Sequence, residues 1–334
     1  MRLRDDVVVG KPSTHFRRLL EQGPLPLAGV WGATAQHAQL AEATGFSHFG
    51  ISGANTSMHL LGLPDAGLIT MTELVENTRR ICRSVSIPVI VDCDTGFGNA
   101  INVLRTVEEV IRAGAASLFM EDQAAPKRCG FVKGKELIPI PEAVSKYRAA
   151  CDVRDALDPD FIIQARTDAR GAVGGGMDEV MRRCEAYLTA GVDMLYVEAL
   201  QSREEIRRVR EAFPDTWLKV TPYAIEPAVS TAEMASLGVC TVGVHITKVG
   251  AIAMYDFLKE YAVRGSDLFN EFAAKHKSHP LGGFGVFDLT GFPKVSELEA
   301  KYLGADQLAR YEDSIGVYDP RVGHSGAFRQ QAAE

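Results

Sequence analysis

The chain alternates short apolar runs with longer segments in which apolar residues recur every three to four positions. The runs Leu27–Val30, His48–Ser52, Pro88–Asp92, Ser117–Glu121, Phe161–Arg166, Met194–Glu198, Leu218–Thr221 and Thr241–Val244 predict strands. Between them, Ala35–Ala43, Thr72–Arg83, Ile101–Ala113, Pro141–Leu157, Asp178–Ala190, Arg203–Ala212 and Thr231–Leu237 predict helices. Thr72 with Glu73 suits a helix start, Pro141 a first-turn proline, and Gly45, Gly114 and Gly191 fall just past helix ends. Eight β-α units in series predict an α/β fold with a parallel sheet, and eight is the number that closes a (β/α)8 TIM-type barrel. Strand-first order and regular spacing favour the barrel over a doubly wound open sheet. No GxGxxG opens the first helix. The glycine-rich Gly171–Gly176 lacks the Lys-Ser/Thr of a phosphate loop and is expected to be a flexible connection.

After about residue 265 the pattern changes. His276–Phe292 is rich in Gly, Pro and Phe, and Val295–Tyr311 is helical again. The expected division is a catalytic barrel over residues 1–265 and a helical extension over 266–334 that packs on a neighbouring subunit or wraps its own barrel.

Composition narrows the class of protein. Apolar residues make up 46% of the 334 and charged residues 24%, as in soluble globular enzymes. A net charge of −7 argues against a nucleic-acid partner. No apolar run approaches the roughly 20 residues that span a bilayer, and the N-terminus has no apolar signal core, so no membrane association and a cytoplasmic location are expected. The six cysteines are widely spaced and form no CxxC pair, which predicts neither a zinc site nor a disulfide framework.

Barrel enzymes place their chemistry at the C-terminal strand ends, and those ends are rich in polar residues here. Strand two ends in Ser52-Gly53-Ala54-Asn55, with Asp65 in its loop; strand three ends in Asp92-Cys93-Asp94. Strand four ends in Glu121-Asp122, and its loop carries Lys127-Arg128-Cys129-Gly130; strands five and six end in Arg166-Thr167-Asp168 and Glu198. Asp65, Asp92, Asp94 and Glu121 would converge, and two like charges at about 4 Å repel by about 4 kcal/mol at an effective dielectric near 20. A cation is therefore expected among them. Oxygen ligation by Asp92, Asp94 and Glu121 suits Mg2+, with Mn2+ the alternative. Arg166 offers a planar donor fork to a carboxylate or phosphonate, and Ser52 with the N–H groups of Gly53 and Ala54 could take a second carboxylate. The implied substrate is a small carboxylic acid that chelates the ion, such as a 2-hydroxy or 2-oxo acid. In Lys127-Arg128-Cys129 the two cations are expected to lower the thiol from about 8.5 toward neutrality, making Cys129 a candidate general acid.

These segments resemble the isocitrate lyase / phosphoenolpyruvate mutase superfamily. The resemblance runs through Gly45-Phe46, Ser52-Gly53, Leu63-Pro64-Asp65, Asp92 to Asn99, Glu121-Asp122-Gln123, Lys127 to Gly130, Ala165 to Ala169 and Gly191 to Leu195, in family order over roughly residues 15 to 260. It implies an α/β barrel that binds Mg2+, and a homotetramer (or a homodimer) with an exchanged C-terminal helix. Lys127-Arg128-Cys129-Gly130 and Glu198 match the carbon–carbon lyases rather than the phosphonate mutases. The methylisocitrate lyase and 2,3-dimethylmalate lyase branch is the one implied. In that setting Cys129 protonates the departing enolate, and Lys127, Arg166 and Glu121 act at the reacting centre. Ser52, Gly53, Ala54, Asp65, Arg128, Gly130, Arg166, Glu198 and Thr221 surround the substrate. Two departures are Phe131, where the lyases have His, and Lys219-Val220-Thr221-Pro222-Tyr223 on strand seven, which is nearer the mutase side. They point to a smaller or more apolar acid such as an alkyl-substituted malate. The expected reaction is retro-aldol (Claisen-type) cleavage to a 2-oxo acid and a second acid, with the Lys127 amine or a metal-bound hydroxide as base. Alternatives are an oxaloacetate (β-keto acid) decarboxylase or hydrolase, then a phosphonate mutase or phosphonopyruvate hydrolase.

Overall fold

A computed structural model describes residues 10–23, 27–221, 223, 225–312 and 314–323. Eight parallel strands close in chain order: β1 Leu27–Gly32, β2 His48–Ile51, β3 Val89–Asp92, β4 Ser117–Glu121, β5 Ile162–Thr167, β6 Met194–Val197, β7 Trp217–Val220 and β8 Val239–His245. β8 returns to β1, with Leu27 opposite Thr241. The (β/α)8 barrel expected from the alternating pattern is the observed fold.

A strand of such a barrel is buried on both faces, and the two faces differ in kind. In β4, Leu118 and Met120 join the core shared with the outer helices, while Phe119 packs inside the barrel. In β5, Ile163 and Ala165 face the outer helices and Ile162 the interior. A polar residue on the inward face at a strand's C-terminal end is therefore carried to the barrel mouth. Register makes neighbours of such residues: Glu121 on β4 lies opposite Arg166 on β5.

Among the interior side chains, Trp31 needs special room from its neighbours. Trp31 on β1 lies between β2 and β8, where a Cβ on Gly50 would come within 2.2 Å of its ring and one on Gly243 within 2.6 Å. Only glycine fits at these two inward positions. At the opposite end, α1 (Pro12–Glu21) brings Phe16 against His48, centroids 5.7 Å apart. This helix precedes the first element that the sequence pattern predicts, at Leu27.

The outer helices are α2 Ala35–Ala43, α4 Met71–Cys82, α5 Ala100–Ala113, α6 Ile140–Leu157, α7 Met177–Thr189, α8 Arg203–Ala212 and α9 Thr231–Ser236, with a short α3 (Gly53–Thr56) after β2. α4 begins before Thr72: Thr70 is its N-cap, in a capping box with Glu73. Gly114 ends α5 in the left-handed region, φ 96°. Gly171–Gly176 is a tied turn, since Gly176 N–H donates to the Ala169 carbonyl at 2.9 Å.

The described chain divides into two compact units, residues 10–247 and those from 248 onward. The division falls inside α10 (Ile246–Arg264), which follows β8 directly. The second unit continues with α11 Ser266–Lys275, α12 Gly285–Thr290, α13 Phe292–Tyr302 and α14 Ala305–Glu312. Within it, Phe284, Phe287, Phe292 and Tyr318 form an aromatic cluster. Among the described residues, no helix is long and apolar enough to cross a membrane.

Candidate active site

The C-terminal strand ends enclose one cavity. Ser52, Ala54, Asp92, Arg166, Glu198 and Thr221 line it, with Asp65, Cys129 and Gly130 contributed by loops. The turn after β3 presents Asp92 and Asp94 together. Asp94 adopts φ 46°, a left-handed conformation that aspartate tolerates better than most residues. Asp92 accepts from the N–H of Asp94 (3.2 Å) through one oxygen and from the N–H of Gly53 (2.9 Å) through the other. The Gly53 N–H, expected to receive a substrate carboxylate, is thus committed to Asp92. Ser52 caps α3, accepting from the Asn55 N–H at 3.3 Å.

Lys127 is the hub of the carboxylate cluster. Its ammonium pairs with Asp65, lies 2.9 Å from Asp94 and 3.8 Å from Glu121, and is 4% exposed. Burial would lower its pKa, but Glu121, Asp94, Asp92 and Asp65 outweigh burial and raise it. The expected role of a Lys127 amine as base is therefore corrected: the residue is held as an ammonium. Asp94 is pushed up to about 6, first by burial and then by Asp92 and Asp65, against the pull of Lys127. Burial likewise raises Glu121, against Arg166 and Lys127.

Among the described residues, no three His, Cys, Asp or Glu side chains converge as a ready-made metal cage. Asp92, Asp94 and Glu121 were expected to do so. Instead the Lys127 ammonium sits among the acids and supplies part of the positive charge they require. The Asp94 oxygen 2.9 Å from Lys127 and the two Glu121 oxygens, 3.8 Å from Lys127 and 3.3 Å from Arg166, make no hydrogen bond and are met only by these ion pairs. Buried carboxylate oxygens held in this way suit a hard divalent cation, which takes one or two carboxylates and keeps waters or substrate oxygens for its other positions.

Arg166 is anchored rather than free. Its Nε and Nη2 donate to Asp168 at 3.0 and 3.1 Å, Nη1 lies 3.3 Å from Glu121, and Nη2 lies 4.0 Å from Glu198. The fork expected to meet a substrate carboxylate is turned on Asp168, and the guanidinium faces the cavity as a fixed charge. Asp168 is itself placed by Asp122, which accepts from the Asp168 N–H (3.0 Å) and from Arg183 (3.1 Å), Tyr187 (2.7 Å) and Thr167 (2.7 Å). Thr221 donates to Glu198 at 2.7 Å and touches the Tyr196 hydroxyl at 2.7 Å.

The loop after β4 closes over these groups. Gln123 fastens it, donating to the Arg128 carbonyl and accepting from the Arg128 N–H, both at 2.9 Å. The buried Lys135 donates to the Gly130 carbonyl. The Arg128 side chain is exposed and does not line the cavity. The Cys129 thiol is raised, not lowered as the sequence predicted. Burial is the chief cause and Asp65 adds to it, against the lowering effects of the Phe131 backbone and of Lys127. A thiol held protonated at neutral pH is a proton donor rather than a nucleophile.

Gly130 is where the loop seats. A Cβ there would stand 2.6 Å from Arg166 Nη2 and 3.0 Å from Glu198 Oε1. Gly130→Ala is expected to hold the loop open and to speed modification of Cys129 by a thiol reagent about tenfold, as local opening exposes it. Peptide mapping by mass spectrometry checks this; unchanged labelling would mean that the loop seats without needing glycine.

Beneath the mouth lies a layer to which the sequence alone assigned no site role, where Trp31, Phe119, Tyr196 and Lys219 also line the cavity. The available signal was alternation: Lys219 precedes Thr221 by two positions, and Tyr196 precedes Glu198 by two.

A (β/α)8 barrel with acids, a clamped arginine and a thiol-bearing loop at its C-terminal mouth has the layout of a barrel enzyme acting on small anions. Residues 16–262 match the family described as phosphoenolpyruvate phosphomutase, and the chain belongs to the phosphoenolpyruvate mutase / isocitrate lyase superfamily. It is 37% identical over 270 residues to 2,3-dimethylmalate lyase of Eubacterium barkeri, covering 80% of this chain and 90% of that protein. It is 39% identical over 228 residues to 2-methylisocitrate lyase of Escherichia coli K12, covering 67% and 75%. The solved structure of phosphonopyruvate hydrolase with oxalate and Mg2+ superimposes with a TM-score of 0.77 at 30% identity, covering 88% of this chain and 100% of that one. The protein is an enzyme of this superfamily, on its carbon–carbon lyase side.

Proposed function

We propose that the protein is a Mg2+-dependent lyase that cleaves the C2–C3 bond of a substituted malate or a related 2-hydroxy di- or tricarboxylate. The observation that carries this reading is the placement of Cys129, brought by a seated loop to the cavity that Asp92 and Arg166 also line; burial keeps its thiol raised above the ordinary value. Asp92, with Asp94 and Glu121, would hold the divalent ion, which when bound polarises the oxygen on C2. Arg166, fixed by Asp168, stabilises the charge that develops as the bond breaks. Cys129 gives its proton to the enolate carbon of the departing acid, and the closed loop excludes water. The ammonium state of Lys127 assigns removal of the hydroxyl proton to another group. Phe131 and Tyr223, with ring centroids 6.0 Å apart, stand over the cavity as an apolar rim that suits alkyl substituents. Pro222, the remaining part of the strand-seven departure, lies outside the described residues.

A panel of substituted malates, 2-methylisocitrate and oxaloacetate, assayed with Mg2+ for release of a 2-oxo acid, tests the reading. Turnover of a substituted malate or methylisocitrate above oxaloacetate is expected. Oxaloacetate as the sole substrate would move the enzyme to decarboxylation or hydrolysis.

Assembly as a homo-oligomer through the C-terminal helices belongs to the same proposal. α10 exposes Val249, Tyr255 and Leu258 to more than 60% each, and apolar area of this kind marks subunit contacts. The mass in solution, by light scattering, is expected to be a multiple of 36.3 kDa.

A further inference from the structure

The ammonium of Lys219 has no acceptor. The residue is 6% exposed, lines the same cavity as Ser52, Asp92 and Arg166, and its Nζ makes no hydrogen bond. Among the described residues it forms no ion pair either. What surrounds it is aromatic: Nζ stands 4.0 Å from the ring centroid of Trp31, 4.1 Å from Tyr196 and 4.4 Å from Phe119.

Two features separate this arrangement from a lysine that merely fills space. The aromatic box is built at a cost to three strands, because Trp31 fits only where Gly50 and Gly243 carry no side chain. The ring faces attract the cation, yet they accept none of its three N–H donors, and a buried donor without an acceptor is destabilising. The open direction is the cavity. The neighbouring lysine makes the contrast: Lys127, equally buried, is surrounded by Asp65, Asp94 and Glu121, so it has no capacity left for a ligand. Burial brings the Lys219 ammonium down to about 7, with Asp92 opposing and Arg166 reinforcing; an arriving anion would restore its charge.

We propose that Lys219 is the receptor for a second carboxylate of the substrate, held in an aromatic box one layer below the metal-binding acids. This rests on the reading of the site as acting on small 2-hydroxy acids and deepens it. The acid must carry a carboxylate beyond the one on its hydroxyl-bearing carbon, and that group points down the barrel axis. Phe131 and Tyr223 at the rim are left to the alkyl substituents. Lys219 thereby sets specificity for di- over monocarboxylates.

The test compares lactate with malate, which differ by one carboxylate, by calorimetry with Mg2+ present on the full chain. Wild type is expected to prefer malate by about thirtyfold, the size of a charge-assisted hydrogen bond to a buried group. Lys219→Met should abolish that preference while changing lactate affinity less than about threefold, since lactate has no second carboxylate to reach Lys219. Lys219→Gln, which keeps a donor, should retain part of the preference and serves if the Met variant fails to fold. A full malate preference in Lys219→Met, or an undiminished one in Lys219→Gln, overturns the assignment alone. A wild type that binds neither acid and turns over nothing in the panel overturns the underlying reading with it. Borohydride trapping of pyruvate on Lys219, with loss of water and a permanent mass increase, would also overturn the ionic role, because it would show the amine acting as a nucleophile.

Discussion

Cys129→Ser is expected to lower kcat by about 10² to 10⁴-fold, the range for loss of a positioned general acid. The dissociation constant for malate should stay within about threefold of wild type, because the thiol acts on the departing carbon and not on the bound ground state. The sign of the pH dependence follows from the site. Burial and Asp65 raise the thiol above its ordinary value, so the acid form persists through neutral pH and is lost only above the usual thiol range. Wild-type turnover should therefore have an alkaline limb at high pH. The residual activity of the serine variant should lack that limb, since a serine hydroxyl does not titrate there. A variant with wild-type kcat, or one whose alkaline limb is unchanged, would remove Cys129 from proton transfer.

Lys127→Met should give the largest effect on stability. The substitution keeps the volume of the side chain and removes the charge that pairs Asp65, Asp94 and Glu121. Stripping one partner from a buried ion cluster typically costs about 3–5 kcal/mol. Without the ammonium, the folded-state carboxyls titrate still higher; Asp94 already stands at about 6 with Lys127 in place. Carboxyls raised on folding bind protons in the folded state that the unfolded chain has released. The variant therefore loses stability as pH rises through those folded values and recovers it as pH falls toward the unfolded carboxylate range. Melting at pH 7.5 should show the full deficit, and at pH 5.5 a smaller one. Mg2+ should restore more stability to the variant than it adds to wild type, because the ion can neutralise the same oxygens. Equal melting temperatures for variant and wild type at both pH values would show that Lys127 is not the counter-charge of the cluster.

Much of the barrel could be read from the chain because its physics is local. Strand β4 and helix α8 fall where periodicity placed them, at Ser117–Glu121 and Arg203–Ala212. The start of α4 was displaced because Thr70, not Thr72, reaches Glu73 to form the capping box. The helix α1 was missed because it closes the barrel end through contacts such as Thr14 and Ser13 with Asp160 and Asp158, some 145 residues away.

The site divides along the same line. That Ser52, Asp92, Glu121, Arg166 and Glu198 share one end of one barrel follows from strand order and a two-residue side-chain period, both written in the sequence. What each group is free to do was decided by partners remote in the chain. Adjacent cations in the sequence predicted an acidic thiol at Cys129, but burial and Asp65 raise it, while Lys127 pairs with Asp65 and Asp94 and Arg128 is exposed. The Arg166 fork is taken by Asp168, which is held in turn by the Asp122 network. The aromatic box around Lys219 is assembled from β1, β4 and β6 and has no local signature at all. Sequence by itself determined the barrel and the roster of chemical groups at its mouth, because backbone periodicity is a local property. Tertiary structure alone decided which charges are neutralised and which remain open to a ligand, because Coulombic and hydrogen-bond partners are set by distance in space.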